Sequence, residues 1–168
     1  DFLSPSSIQP IVEASRRAYA DRSEYLGDPD FVAIPVEGLL DSEYLKKRMI
    51  SFDWSQATDS SSVASGKLTL QESPETTHYS IIDSKGNAVA VTTTLNANYG
   101  SKLLVPSLGF FLNNEMDDFS SKPGVPNLYG VIGGEANAIV PEKRMLSSMT
   151  PTIVEQNGQL SMILGSPG

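Results

Sequence analysis

Thr76 is the residue whose type and surroundings best suit it for covalent chemistry. It opens the run Thr76-Thr77-His78-Tyr79-Ser80, nearly mid-chain. Upstream, from Gln56 to Glu75, the chain is polar and loose, with a Ser60-Ser61-Ser62 run and Pro74 two residues before the threonine. Downstream, Ile81 to Thr94 reads as the rest of one strand, a Gly86-containing turn and a second strand. A flexible linker thus runs into a threonine that starts a sheet strand. Cutting the bond before Thr76 would give that residue a free α-amine beside its own hydroxyl. A hydroxyl is a poor nucleophile until a base takes its proton, and a terminal amine titrating near neutrality can be that base. In isolation, the same Thr-rich run reads as β-branched packing on a pleat.

Three loops carry further polar groups, and loops are where sites are commonly borne. Asn113 to Asp118 clusters two amides and three carboxylates, which alone reads as a solvated turn, a cap or a weak cation site. Pro123 to Gly134 is rich in Pro and Gly, without the Gly-Lys-Ser/Thr ending of a phosphate loop or the spacing of a dinucleotide fingerprint. Ser147-Ser148 precedes a Met-Thr-Pro step into a strand and alone reads as a capping pair. His78 is the one imidazole, has no acidic partner near in sequence, and reads as structural. Thr77 faces away from Thr76 along a strand and reads as packing.

The elements that must position these groups change character at Thr76. Before it the pattern is helical. Ser6 or Ser7 can cap a helix with Ile8, Ile11, Val12, Ala18 and Tyr19 at three-to-four spacing, Pro10 in its first turn, and an end near Leu26-Gly27. Asp41 or Ser42 caps a second helix carrying Tyr44, Leu45 and Met49. Helices of this size need a partner surface for their apolar faces. From Thr76 onward the period is two. Strands at 77–83 and 87–95 form a hairpin, short strands are expected near Leu103–Val105 and Gly109–Leu112, and Asn157-Gly158 marks a last hairpin between Thr152 and Leu164. Strands following one another without intervening helices predict an antiparallel α+β fold.

Composition narrows the function classes. The 168 residues suffice for one domain with a sizeable core. Net charge is −8, with 13 acidic against 7 basic residues before Thr76 and 7 against 5 from there on. Without a basic patch, nucleic-acid binding is not expected. There is no Cys, which excludes disulfides and thiol chemistry, and one His does not build a typical zinc or iron site. No apolar run approaches the ~20 residues of a membrane helix. Asp1-Phe2-Leu3 is neither a start Met nor a signal segment, so the native N-terminus is expected elsewhere.

Six motifs occurring in order resemble those of the γ-glutamyltransferase (γ-glutamyl transpeptidase) family. They are Glu75-Thr76-Thr77-His78-Tyr79-Ser80, the stretch Gly86 to Thr92, Leu112 to Ser120, Pro123-Gly124-Val125-Pro126-Asn127, Leu146-Ser147-Ser148-Met149 and Gly165-Ser166-Pro167-Gly168. The helical stretch from Tyr19 to Pro29 is similar to the end of that family's large subunit. The resemblance covers almost all of this chain but only the middle of the family's length. It implies an N-terminal-nucleophile hydrolase with an αββα sandwich, made as a precursor that cuts itself before its catalytic threonine. Residues 1–75 would then end the large subunit and 76–168 begin the small one, the two forming a heterodimer.

Carried over by motif, Thr76 is the nucleophile and the cut falls at Glu75–Thr76. Thr94 matches the threonine whose hydroxyl contacts the nucleophile's. Asn96, Glu115 and Asp118 match residues that hold the donor's α-amino group, and Ser147 and Ser148 those that bind its α-carboxylate. Gly168 matches the first of two glycines that stabilise the oxyanion. Tyr129 matches the tyrosine of a lid loop. The implied donors are glutathione and other γ-glutamyl compounds, with water, amino acids or peptides as acceptors, no metal or organic cofactor, and export to the periplasm or cell surface. The second oxyanion glycine and the carboxylate-binding arginine of the large subunit fall outside this sequence, so the chain alone is expected to be inactive. Met145 stands where relatives often have proline. Two alternatives are a glutaryl-cephalosporin-type acylase of the same superfamily and a non-catalytic β-domain.

Overall fold

The computed structural model describes residues 3–63 and 76–167. Glu75, on one side of the expected cut, and Gly168, the expected oxyanion glycine, lie outside the described residues. The chain separates into two compact units that interleave in sequence, one from residues 1–70 and 119–146 and the other from 71–118 and 147–168. These units describe compactness. The expected division at residue 75 describes a covalent cut, which is a separate matter.

Unit one is helical. α1 (Pro5–Tyr25) follows Ser4 in extended backbone, whose carbonyl accepts the Ser7 and Ile8 N–H groups. Because the helix starts ahead of the expected Ser6 or Ser7 cap, Pro10 sits inside it rather than in the first turn. Its buried residues are Glu13, Arg17, Ala20 and Ser23, one face at three-to-four spacing. The expected apolar stripe is not that face: Ile8, Ile11 and Val12 are 42%, 57% and 48% exposed.

The reason is an ion pair that draws the chain beyond the helices onto α1. Glu13 Oε2 accepts from the Arg17 guanidinium at 2.5 Å, and Oε1 accepts from Arg16 at 2.9 Å and from the Thr58 N–H at 3.0 Å. Arg17 also donates to the Arg48 carbonyl at 2.7 Å and to the hydroxyls of Ser51 and Thr58 at 2.8 and 3.1 Å. A buried pair survives desolvation only when its remaining groups are satisfied in this way. Two short helices lie between, α2 (Val36–Leu40) and α3 (Ser42–Arg48). The Asp41 carboxylate caps α3 by accepting the Tyr44 N–H at 2.9 Å, as its position predicts. α2, at five residues, is too short to show a period and was not expected. A 3₁₀ turn (Glu135–Asn137) packs on the end of α1, with the Gly134 N–H donating to the Ser23 carbonyl at 2.9 Å. Gly27 must be glycine there, since an added Cβ would lie 2.2 Å from the Ala136 carbonyl oxygen.

Unit two is built from antiparallel hairpins. β1 (Thr76–Ile82) pairs with β2 (Ala88–Thr94) in unbroken register from Thr76↔Thr94 to Ile82↔Ala88. The turn is organised by Asp83, whose carboxylate accepts the Lys85 and Asn87 N–H groups, while Gly86 takes φ +84°. β3 (Leu104–Val105) pairs with β4 (Phe110–Phe111), and β5 (Thr152–Gln156) with β6 (Gln159–Leu164). Asn157 and Gly158 turn the last hairpin with φ +56° and +72°, the left-handed pair that the Asn-Gly signal predicts. The β5–β6 hairpin packs against β2. The fold is therefore α+β with antiparallel pairing.

Period-two alternation divides the first hairpin into two faces. Thr76, His78, Thr92 and Thr94 are half-buried on one, while Thr77, Tyr79, Ile81 and Val89 are exposed on the other. Thr77 is thus on the opposite face from Thr76, as expected, but it is exposed rather than packed into a core. Among the described residues only Ala20 and Phe119 are buried apolar side chains.

Burial by itself would raise the Glu13 carboxyl, but hydrogen bonds from Arg17 and Thr58 outweigh it and hold it at about 2, against an ordinary 4.5. A depressed folded pKa contributes stability that is complete above the unfolded value and is lost as pH falls from 4.5 towards 2. Glu13→Gln should cost about 3–5 kcal/mol at neutral pH, because Arg17 is left buried and unpaired. It should also lose the acid-dependent part of the melting curve in that window. Equal melting temperatures for the two proteins at neutral pH would dismiss the ion pair as an organising contact.

Candidate active site

The site is assembled from the open end of the first hairpin. Thr76 stands opposite Thr94, so two hydroxyl-bearing residues face each other where the ladder ends. The Thr76 N–H donates to the Pro167 carbonyl at 3.0 Å, joining the head of β1 to the segment after β6. Farther along the same face, the His78 ring lies within hydrogen-bond distance of Thr92 Oγ1 through Nδ1 (2.8 Å) and of Ser80 Oγ through Nε2 (3.0 Å).

From Thr94 the chain leaves the sheet in a tight turn. The Asn96 N–H donates to Thr94 Oγ1 at 2.9 Å, and Asn96 takes φ +75°, a left-handed conformation that asparagine tolerates better than most residues. Asn114 then sews this turn to the acidic loop. Its side-chain oxygen accepts the Ala97 N–H at 2.9 Å, its N–H donates to the Leu95 carbonyl at 3.2 Å, and its carbonyl accepts from the Asn96 side chain at 3.4 Å. The 3₁₀ turn Glu115–Asp118 begins at the next residue, its first N–H donating to the Asn113 side chain at 3.1 Å. Thr76, Thr94, Asn96, Glu115 and Asp118 are thereby linked through one short chain of contacts. Burial pushes the Glu115 carboxyl above its ordinary value.

The other expected residues are placed differently. Ser147 and Ser148 are exposed on the extended stretch entering β5, in the same unit, and Ser147 Oγ accepts the Met149 N–H at 3.0 Å. Tyr129 belongs to unit one. It sits half-buried in a turn that closes on itself, where the Asn127 side chain accepts the Tyr129 and Val131 N–H groups at 3.0 and 2.9 Å. Among the described residues no group of three or more His, Asp or Glu side chains could hold a metal ion. Sequence reading overlooked two organisers of the site. Asn114 was visible only as one amide of an adjacent pair, and the Pro167 carbonyl is a backbone group with no side-chain signature.

A threonine heads an antiparallel strand, faces a second threonine and is joined through the following turn to an amide and acidic loop in an α+β fold. The sequence profile of the γ-glutamyltranspeptidase family matches residues 1–168, and the chain belongs to that family. It is 53% identical over 167 residues to the glutathione hydrolase proenzyme of Escherichia coli, covering 99% of this chain and 29% of that protein. It is 49% identical to the corresponding proenzyme of Pseudomonas aeruginosa, covering 96% and 28%. An acylase proenzyme from a Pseudomonas strain is 34% identical over 99% of this chain and 27% of its own length. Among solved structures, γ-glutamyltranspeptidase from Pseudomonas nitroreducens complexed with L-DON matches with a TM-score of 0.50 and 60% identity, over 52% of this chain and 45% of that one. A mutant of the Helicobacter pylori γ-glutamyltranspeptidase matches with the same TM-score at 61% identity, over 52% and 47%. The chain thus spans less than a third of the length of the curated relatives it matches.

Asn114→Ala should leave the Ala97 N–H without its acceptor, a cost of about 1–3 kcal/mol. Amide exchange at Ala97 should quicken and the melting temperature should drop by a few degrees. If exchange at Ala97 were unchanged, the two loops would be held together by something other than Asn114.

Proposed function

We propose that the protein carrying this chain is a γ-glutamyltransferase and hydrolase that cuts itself at Glu75–Thr76 and then cleaves the γ-glutamyl amide of glutathione and related donors. The observation that carries the reading is Thr76 paired with Thr94 at the head of β1, in a chain that matches the family along its whole length. Relatives named as proenzymes support the self-cleavage step.

In the precursor, the Thr76 hydroxyl attacks the carbonyl carbon of Glu75. The peptide C–N bond breaks, its nitrogen takes up the proton to become the α-amine, and water hydrolyses the ester left on Thr76. In the mature enzyme that amine takes the hydroxyl proton as Oγ attacks the donor's γ-carbonyl. The donor's amide C–N bond breaks, its amine leaves with the proton, and a γ-glutamyl ester remains on Thr76. Water, or the amine of an amino acid or peptide, then takes the acyl group and restores the hydroxyl. Neither half-reaction needs a metal or organic cofactor.

The remaining residues divide the donor between them. Asn96, Glu115 and Asp118 hold its α-ammonium, and the desolvated Glu115 carboxyl suits a charged partner. Ser147 and Ser148 take its α-carboxylate, the Gly168 N–H stabilises the oxyanion, and Tyr129 lies on the lid. The αββα sandwich, the heterodimer of large and small subunits, and export to the periplasm or cell surface belong to the same reading. The acylase relative, at lower identity, supports shared acyl-transfer chemistry more than a shared donor. The amide and carboxylate set at Asn96, Glu115 and Asp118 favours an amino-acid-like donor over a simple diacid amide.

Thr76→Ala in the full-length protein should give a single uncut chain by intact mass. Splitting of that variant at the same bond would exclude Thr76 as the cutting group. In a correctly cut protein, Asp118→Asn should weaken kcat/KM for a chromogenic γ-glutamyl anilide by about 10- to 100-fold, the loss of one charge-assisted hydrogen bond worth about 1.5–3 kcal/mol. Wild-type donor kinetics in that variant would remove Asp118 from the site.

A further inference from the structure

We infer that His78, rather than being a packing residue, positions the nucleophile's nitrogen by acting as the platform for the segment that holds it. The inference rests on the reading of Thr76 as nucleophile. Its evidence is the juxtaposition of the His78 ring, the Gly165 backbone and the Pro167-to-Thr76 hydrogen bond.

The ring is fixed on both edges. Nδ1 lies 2.8 Å from the hydroxyl of Thr92, the cross-strand partner of His78, and Nε2 lies 3.0 Å from the hydroxyl of Ser80 on the same strand. One ring nitrogen of a neutral imidazole donates and the other accepts, and a hydroxyl can complement either role, so each tautomer is satisfied. His78 and Thr76 are two residues apart on β1 and therefore share a face. Onto that ring the chain after β6 is laid as backbone alone. A Cβ added at Gly165 would come 2.2 Å from Cε1, 2.3 Å from Nδ1 and 2.8 Å from Nε2 of His78, closer than any real contact. Two residues on, the Pro167 carbonyl accepts the Thr76 N–H at 3.0 Å.

The consequence concerns the base. That nitrogen becomes the α-amine after the cut, and it can take the hydroxyl proton only if its lone pair is directed at Oγ. A carbonyl accepting one of its N–H bonds restricts its rotation, and Gly165, two residues before that carbonyl, lies close against the imidazole. Removing the ring should release the 165–167 segment and disturb the reacting geometry. The loop bearing Asn96, Glu115 and Asp118 is held separately by Asn114, so donor capture should persist. His78 is on this argument a positioning residue, and its signature is a loss in kcat with KM preserved.

A double-mutant cycle in the full-length protein tests the contact itself. His78→Ala and Gly165→Ala should each lower kcat for a γ-glutamyl anilide by roughly 10- to 100-fold, in line with misplacement of a reacting group by about 1 Å, with KM within about threefold of wild type. In the His78→Ala background the added Cβ has room, so Gly165→Ala should cost less than about threefold there. Should a variant mature too slowly to assay, the same four-way comparison is made on the rate of cutting before Thr76, because the precursor uses the same Thr76-to-Pro167 bond. Additive effects of the two substitutions, or a kcat for His78→Ala within twofold of wild type, would overturn the inference. The wild-type and Thr76→Ala controls keep this separate from the functional reading. If wild type neither cuts nor turns over γ-glutamyl donors, that reading fails, whereas an active wild type with an additive cycle removes only His78.

Discussion

Register between β1 and β2 is the constraint on which the site depends. Side chains alternate along a strand with period two, so a slip of one residue would send every group on one face to the other. The observed pairing sets Thr76 against Thr94 and His78 against Thr92, which collects the hydroxyls and the imidazole on the half-buried face. Asp83 and Gly86 fix that register from the closed end by turning the chain in a defined number of residues. At the open end the Thr76 N–H is claimed by Pro167 and the Thr94 hydroxyl by the Asn96 N–H. A hairpin pinned at both ends holds its first residue, the candidate nucleophile, in place.

The second theme is the directional polar links that organise each unit. Polar links do much of the positioning in both units: Glu13 and Arg17 in one, Asn114 in the other. Such links are directional. They hold a group at a particular distance and angle, where apolar contact tolerates sliding. They also bring electrostatic consequences with them. The Asp28 carboxyl is held well below its ordinary range by hydrogen bonds from Arg144, and Glu115 is pushed the other way by burial. In the same chain, one acid is committed to a structural ion pair and another is left desolvated beside the candidate nucleophile's loop.

Much of this was legible in the residues because local chemistry determines it. Asn157-Gly158 can form the tight left-handed turn it makes, Asp41 caps the helix that follows it, and the alternation from Thr76 announces a strand. Motif order singled out Thr76, Thr94, Asn96, Glu115 and Asp118 as candidates, and all five fall within unit two, with Thr76 opposite Thr94. What could not be read depends on long-range contact. The burial of Glu13 and Arg17 in place of Ile8, Ile11 and Val12 follows from a segment more than thirty residues away, which helical periodicity does not see. The roles of Gly165 and Pro167 are carried by backbone, and backbone leaves no trace in residue type beyond the demand that Gly165 have no Cβ.

Interleaving of the compact units bears on what a cut before Thr76 would do. Unit one draws its helices from residues before that bond and its 119–146 segment from residues after it. Cutting would therefore leave this unit shared between two chains, joined only by non-covalent contacts. Those contacts include the Gly134 N–H to the Ser23 carbonyl, the close approach of Gly27 to Ala136, and Arg144 across Asp28 and Asp30. The Asp28 carboxylate is buried and accepts from both the Arg144 guanidinium and its backbone N–H, a two-sided grip that is less readily lost than a single surface pair. Ser23 and Asp28, before the bond, would thus stay tied to Gly134 and Arg144, after it, by these contacts.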